Sequence, residues 1–230
     1  MLLSPAAEDY LKTIYKLRAE LDADGNPAAV TTQALADKLQ VAAPSATAMV
    51  KKLATLKLLR HEKYRGVELT PDGEKIALEV LRHHRLVETF LSEILGMDWD
   101  QVHAEAEKWE HVLSEEVEAK IDAALNSPTH DPHGSPIPTL DGKIAPDNWP
   151  SLARAASGQE GAVLTVRRVS DQDPAVLRHL REVGLIPSAR IEVLEARPEA
   201  GVLQLRINGE ERTVGLKPAG AVWVSREETA

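Results

Sequence analysis

Three patterns in the 230 residues predict a mainly α chain with a β-rich end. Up to about residue 124, apolar side chains recur at the i, i+3, i+4, i+7 spacing that puts them on one face of a helix. Six of the 14 prolines then fall between Asn126 and Pro150, where neither helix nor central strand tolerates them. From 161 to 226 the period changes to two, with Gly and Pro between short apolar runs, as in a small antiparallel barrel.

Each element has its own signal. Tyr10, Leu11, Ile14, Leu17 and Leu21 predict a first helix over 7–21, closed by the turn-forming run Asp22–Pro27. Thr31-Thr32 opens a short capped helix, Gln40–Ala43 is a tight connection, and Pro44-Ser45 opens a second helix to about Leu56 that carries Lys51 and Lys52. Two helices so joined match either a helix-turn-helix or ordinary packed helices. The following stretch, Leu58–Leu69, predicts a β-hairpin whose tip holds Arg60, Lys63, Tyr64 and Arg65, which is the form of a wing. Thr70-Pro71-Asp72 starts a long helix reaching about Leu95 before Gly96, and Asp98–Ala124 predicts another long helical stretch. In the last third, strands are expected at Ala162–Arg167, Arg190–Glu195, Val202–Gly209 and Ala221–Val224, with one helix at Pro174–Val183.

Composition limits what the chain can do. It has no Cys, so neither disulfides nor thiolate metal sites are available, and ligands must come from His, Asp, Glu, Met or backbone oxygen. No apolar run approaches the length of a membrane span, and the N-terminus lacks the pattern of a secretory signal, so a cytoplasmic protein without membrane partners is expected. The formal net charge of −9 argues against nucleic acid at first sight. It is unevenly spread: residues 31–75 carry a net +3, residues 76–150 a net −10, and residues 151–230 are balanced. That acidic middle also holds six of the eight histidines.

There the chemistry gathers. On one helix His103, Glu107, Glu110 and His111 fall in a sector of about 100°, beside an apolar stripe of Val102, Ala106, Trp109 and Leu113. His84 and Glu88, four residues apart on the preceding helix, can grip one ion. Imidazole with carboxylate suits Mn²⁺, Fe²⁺, Co²⁺ or Zn²⁺, and the share of oxygen favours the harder Mn²⁺ and Fe²⁺. The same spacing also fits a solvated acidic face or a carboxylate-bridged enzyme bundle. Phosphate loops, nucleophile elbows and zinc-protease motifs are absent from the sequence.

Several blocks resemble the diphtheria toxin repressor family of metal-dependent transcriptional regulators, including its manganese branch. They are Glu8–Tyr15, Glu62–Thr70, His83–Leu86, Trp109–His111 and His133–Pro138, in the family's order, followed by Leu180–Pro187, similar to its SH3-like, FeoA-type module. The resemblance implies a winged helix-turn-helix DNA-binding domain over 1–72 and a helical dimerisation and metal-binding domain over 73–126. A Pro-rich linker over 127–160 and an SH3-like domain over 161–230 complete the expected order. It implies a regulatory metal site of Asp9, Glu107, Glu110 and His111, and an ancillary site of His84, Glu88 and His103 with Asp173 as a further carboxylate. Iron-responsive members carry Cys and Met where this chain has Glu107 and Asp9, which favours Mn²⁺, and the two implied sites would take up to two ions per subunit. The manganese branch has another carboxylate where this chain has Lys12, which favours two separate sites over a closely spaced pair.

For DNA, Pro44, Ser45, Thr47 and Ala48 match the family's recognition helix, and Lys51, Lys52, Lys63 and Arg65 are the expected phosphate contacts. The implied protein is a homodimeric, non-enzymatic repressor of metal-homeostasis genes on palindromic double-stranded DNA, needing no organic cofactor. An iron-responsive regulator of the same family, a His/carboxylate metalloenzyme and a winged-helix regulator of an organic effector are the alternatives.

Overall fold

The structure, a computed structural model, describes residues 3–19, 29–62 and 66–226, with the side chains of His61 and Glu62 left aside. It divides into two compact units: residues 1–83, 110–113 and 138–143 belong to the first, and 84–109, 114–137 and 144–230 to the second.

The first unit begins with α1 (Pro5–Ala19), which buries Ala7, Tyr10, Leu11 and Ile14 at helical spacing. Next come α2 (Thr32–Lys38) and α3 (Ala43–Thr55). Thr31 caps α2 by accepting a hydrogen bond from the Ala34 amide at 3.0 Å, as its sequence predicts. Leu35, Ala46, Val50 and Leu53 join the α1 residues in one core. The hairpin β1 (Leu59–Glu62) and β2 (Gly66–Leu69) pairs antiparallel, Leu59 opposite Leu69 and Glu62 opposite Gly66. Gly66 has φ +85°, and a Cβ there would lie 2.5 Å from the Val30 carbonyl oxygen, so only glycine fits. The hydroxyl of Thr70 donates to the Lys57 carbonyl and accepts from the Gly73 amide, fixing the start of α4 (Pro71–Glu93) behind the hairpin.

Residues beyond His83 of α4 belong to the second unit, with α5 (Val102–Trp109) and α6 (Glu115–Ala124). The single helical stretch expected over 98–124 is therefore two helices. Ser114 is the N-cap of α6, its hydroxyl accepting from the Val117 amide, so α5 ends in a turn at Glu110–Val112. Trp109, expected in the apolar stripe with buried Val102 and Ala106, is 36% exposed and donates its indole N–H to Glu105.

After a strap over 126–150 and the one-turn α7 (Leu152–Ala155), the second unit is completed by a five-stranded antiparallel sheet. Its strands are β3 (Val163–Val169), β4 (Arg190–Arg197), β5 (Val202–Ile207), β6 (Glu210–Gly215) and β7 (Val222–Arg226), in the order β6-β5-β4-β3-β7. The inward residues Leu164, Val166, Ile191, Val193, Leu203, Leu205 and Val224 pack against Leu177 and Leu180 of α8 (Pro174–Val183). A short α9 (Leu216–Gly220) joins β6 to β7. Sequence periodicity found four of the five strands; β6 escaped it because its first four residues, Glu-Glu-Arg-Thr, are all exposed on the edge.

Candidate functional site

Within the first unit, Asp9, Glu110 and His111 come together. Asp9 is on α1, and Glu110 and His111 lie in the turn that Ser114 forces after α5. His111 Nε2 is 3.0 Å from Asp9 Oδ1 and 3.3 Å from Glu110 Oε1. The other ring nitrogen, Nδ1, lies 2.7 Å from Glu8 Oε2, so a carboxylate orients the imidazole from behind, a common device for a metal-binding histidine. The Glu110 carbonyl oxygen is 3.1 Å from His83 Nδ1, which pins the turn. Lys12 is 4% exposed and places its ammonium 2.5 Å from Glu110 Oε1 and 3.9 Å from Asp9 Oδ1. A buried carboxylate needs a cation, and here an internal one answers it.

The second unit gathers His84 and Glu88 of α4, His103 of α5, and Asp171. His84 Nε2, Glu88 Oε1 and His103 Nδ1 form a triangle with edges of 3.0, 3.0 and 3.1 Å, and Asp171 Oδ2 is 3.5 Å from His103 Nδ1. An ion about 2.1 Å from each of three ligands at right angles would space them about 3.0 Å apart, so this donor face fits an octahedral divalent cation. Asp173, the expected fourth ligand, instead caps α8, accepting from the amides of Ala175 and Val176. Of the two aspartates it is Asp171 whose carboxylate reaches this cluster. Glu107, expected in the regulatory set, has Oε1 3.7 Å from His84 Nδ1 and 3.9 Å from His103 Nε2, the outward nitrogens of both rings.

Behind Glu88 lies a third group of ionisable residues, Asp131 and His133 of the strap. Burial alone would raise the Glu88 carboxyl, but the charge of His84 and the imidazoles of His103 and His133 hold it well below the ordinary carboxylate range. Burial opposes charge on His133, yet Glu88, Asp131 and the Trp99 carbonyl together push its imidazole up to about 9. Burial, then the charge of Glu88, raises the Asp131 carboxyl to about 6 despite Arg85 beside it. Sequence reasoning named Glu8 and His133 only as parts of family blocks, and missed Asp131 and Asp171 altogether; no local spacing marks their roles, because their partners are remote in the chain.

The expected DNA-facing residues cluster on α3: Pro44, Ser45, Ala48, Lys51 and Lys52 are exposed, and Thr47 is partly so. Thr47 donates its hydroxyl to the Ala43 carbonyl at 2.9 Å, which leaves its methyl group and the oxygen lone pairs for a ligand. Lys63 and Arg65, expected at the hairpin tip, lie outside the described residues.

Comparison with known families matches three profiles in sequence order. Residues 2–67 match the iron dependent repressor N-terminal DNA binding domain, 70–139 the iron dependent repressor metal binding and dimerisation domain, and 153–226 the FeoA domain. The chain is 34% identical to the iron-dependent repressor IdeR of Mycobacterium leprae over 97% of its own length and 98% of that protein's. It is 37% identical to the diphtheria toxin repressor of Corynebacterium efficiens over 73% of this chain and 71% of the relative. Among solved structures, a manganese-dependent transcriptional repressor in complex with manganese superposes with a TM-score of 0.87 at 38% identity, covering 96% of this chain and all of that one. ScaR with bound Zn²⁺ gives 0.79 at 30% identity, covering 96% and 99%.

Proposed function

Because the chain belongs to the diphtheria toxin repressor family of metal-dependent transcriptional repressors, we propose that Mn²⁺ is the metal that switches on its operator binding and that its targets are genes of metal homeostasis. The observation that carries this reading is the donor set of the first cluster: Asp9, Glu110 and His111 offer two carboxylates and one imidazole, and the sequence has no cysteine to add a thiolate. Hard oxygen donors favour Mn²⁺ or Fe²⁺. Glu107 is assigned to the same ion by family resemblance alone.

Asp9 sits on α1, packed in one core with α2 and α3, while Glu110 and His111 follow α5 directly. A bound divalent ion supplies a charge-dense link between these carboxylates and the imidazole. Asp9, Glu110 and His111, held by one ion, tie the DNA-binding helices to the chain leaving α5, and the metal-bound form meets DNA with that ordering already done. Lys12 is a cation already placed against Glu110, so an ion held by this carboxylate would replace one positive charge there with another. His84, Glu88, His103 and Asp171 provide the ancillary site. Two ions add up to four positive charges to a segment of net −10, easing its repulsion from phosphate.

Two copies are needed to read a palindrome. Exposed Ile94, Leu95 and Val117 on the second unit supply apolar surface for that dimer. Ser45, Thr47 and Ala48 face bases or phosphates, while Lys51, Lys52, Lys63 and Arg65 meet phosphates.

The test selects a DNA fragment from a random library against Mn²⁺-loaded protein, then measures binding with Mn²⁺, with Fe²⁺ and with chelator. Mn²⁺ is expected to tighten binding by about tenfold or more over chelator, and the selected sequences to be two-fold symmetric. Equal affinity in all three conditions overturns the proposal. Tighter binding with Fe²⁺ than with Mn²⁺ transfers it to iron, the reading favoured by the names of the 34% identical relatives.

A further inference from the structure

Glu88 presents only one oxygen to the ancillary cluster: Oε1 meets His84 and His103, while Oε2 points the other way. Oε2 is fully buried and has no hydrogen-bond partner. Facing it at 3.9 Å is His133 Nδ1, likewise buried and without a partner. That separation is too long for a hydrogen bond, and two desolvated polar atoms left facing each other in this way are uncommon in a folded interior. His133 Nε2 lies 2.8 Å from the Trp99 carbonyl oxygen, which can only accept, so Nε2 carries a proton. A carboxylate oxygen only accepts, so Oε2 and Nδ1 can pair only where Nδ1 is a second N–H, a state that the buried Glu88 and Asp131 carboxylates beside the ring favour.

The strap holds His133 in this position firmly. Asp131 Oδ1 accepts from the amides of both His133 and Ser135 at 2.9 Å, closing a turn around the histidine. The Val169 amide of β3 donates to the His133 carbonyl at 2.9 Å. Gly134, at φ +86°, lies so close to β3 that a Cβ would stand 2.1 Å from the Arg167 carbonyl oxygen. Trp99 stacks on the ring, centroids 5.7 Å apart. His133 is thus fastened to the β3 strand on one side and faces the back of a candidate metal ligand on the other.

We propose that His133 is a positioning residue for Glu88: when Oε1 joins His84 and His103 around a divalent ion, His133 Nδ1–H closes on Oε2, and occupancy of the ancillary site is thereby felt by the strap and by β3. This rests on the reading that His84, Glu88 and His103 hold an ion. The geometry needs a shift of about 1 Å to bring 3.9 Å into hydrogen-bond range.

The test uses the full chain and Mn²⁺ alone, counting free Mn²⁺ by its electron paramagnetic resonance signal, beside hydrogen exchange of residues 130–137. His133→Asn keeps an N–H near the Nδ1 position, whereas His133→Gln keeps one near Nε2 and none facing Glu88. His84→Ala identifies the ion in question. We expect His84→Ala to remove one bound Mn²⁺, His133→Gln to weaken that same ion by about 10–100-fold, and His133→Asn to stay within about threefold of the parent. Mn²⁺ should slow amide exchange in the strap of the parent and His133→Asn proteins, and not in His133→Gln. If His84→Ala leaves the stoichiometry unchanged, the site itself is wrong and the proposal falls with it. If His84→Ala removes the ion but His133→Gln binds like the parent, or His133→Asn is as weak as His133→Gln, the positioning role alone is overturned.

Discussion

The two candidate metal clusters are built from similar residues and handle their charge in opposite ways. Around Glu110 the chain supplies its own cation, with the Lys12 ammonium 2.5 Å from a fully buried carboxylate. Around Glu88, which is also fully buried, the opposing groups are imidazoles, and they already stand at the spacing of a coordination face. A lysine can be displaced but does not leave, so a metal held by the first cluster as proposed would compete with a tethered cation. Histidines can lose their protons and become ligands themselves, so the second is a preformed seat. A site that must exchange cations changes its contacts when metal enters, which is what a switch requires; a preformed seat changes little.

The largest effect should come from Asp9→Ala. It removes the carboxylate by which α1 meets His111, and it should abolish Mn²⁺-stimulated binding to the selected DNA while sedimentation still shows the dimer. Metal dependence unchanged in a gel-shift titration would take Asp9 out of the switch. Next, Lys12→Met would make the first cluster resemble the second. With the ammonium gone, buried Glu110 loses its counter-charge, and the metal-free chain should lose about 3 kcal/mol in chemical denaturation. Mn²⁺ should restore most of that and bind this cluster more tightly than in the parent. Weaker Mn²⁺ binding would mean that Lys12 organises the ligands instead of competing with them.

The elements were legible in the sequence wherever one local signal governed. Thr31, Thr70 and Pro174 mark helix starts within a residue or two, because caps and first-turn prolines act over three or four positions. The break between α5 and α6 was masked by apolar residues that kept helical spacing across it; the Ser-Glu-Glu run at 114–116 was the cap signal that gives it away. The grouping of His84 with Glu88 on α4, and the place of His103 on α5, were legible from spacing of three and four. Asp9 and its meeting with His111 came only from resemblance, since 102 residues separate them. Glu8 shows the limit most clearly: it neighbours Asp9 in the chain yet serves the opposite nitrogen of His111, and nothing in its local sequence distinguishes it from any surface glutamate.

The smallest effects sharpen the choice between two aspartates two residues apart. Asp173 has the residue type and approximate place that resemblance demands, but its Oδ1 already accepts from two amides at the N-cap of a ten-residue helix. Removing it by Asp173→Ala should cost about 1 kcal/mol of stability, the usual value of a cap, and leave the number and affinity of bound Mn²⁺ as they were. Asp171 sits before the helix begins, with Oδ2 3.5 Å from a ring nitrogen of the donor triangle. Asp171→Asn keeps its shape and removes its charge. Because three ligands remain, the ancillary ion should be retained but weakened, by about tenfold, with the thermal midpoint of the metal-free chain nearly unmoved. The opposite pattern, metal affinity following Asp173 and stability following Asp171, would mean that the loop before α8 is redrawn when an ion binds.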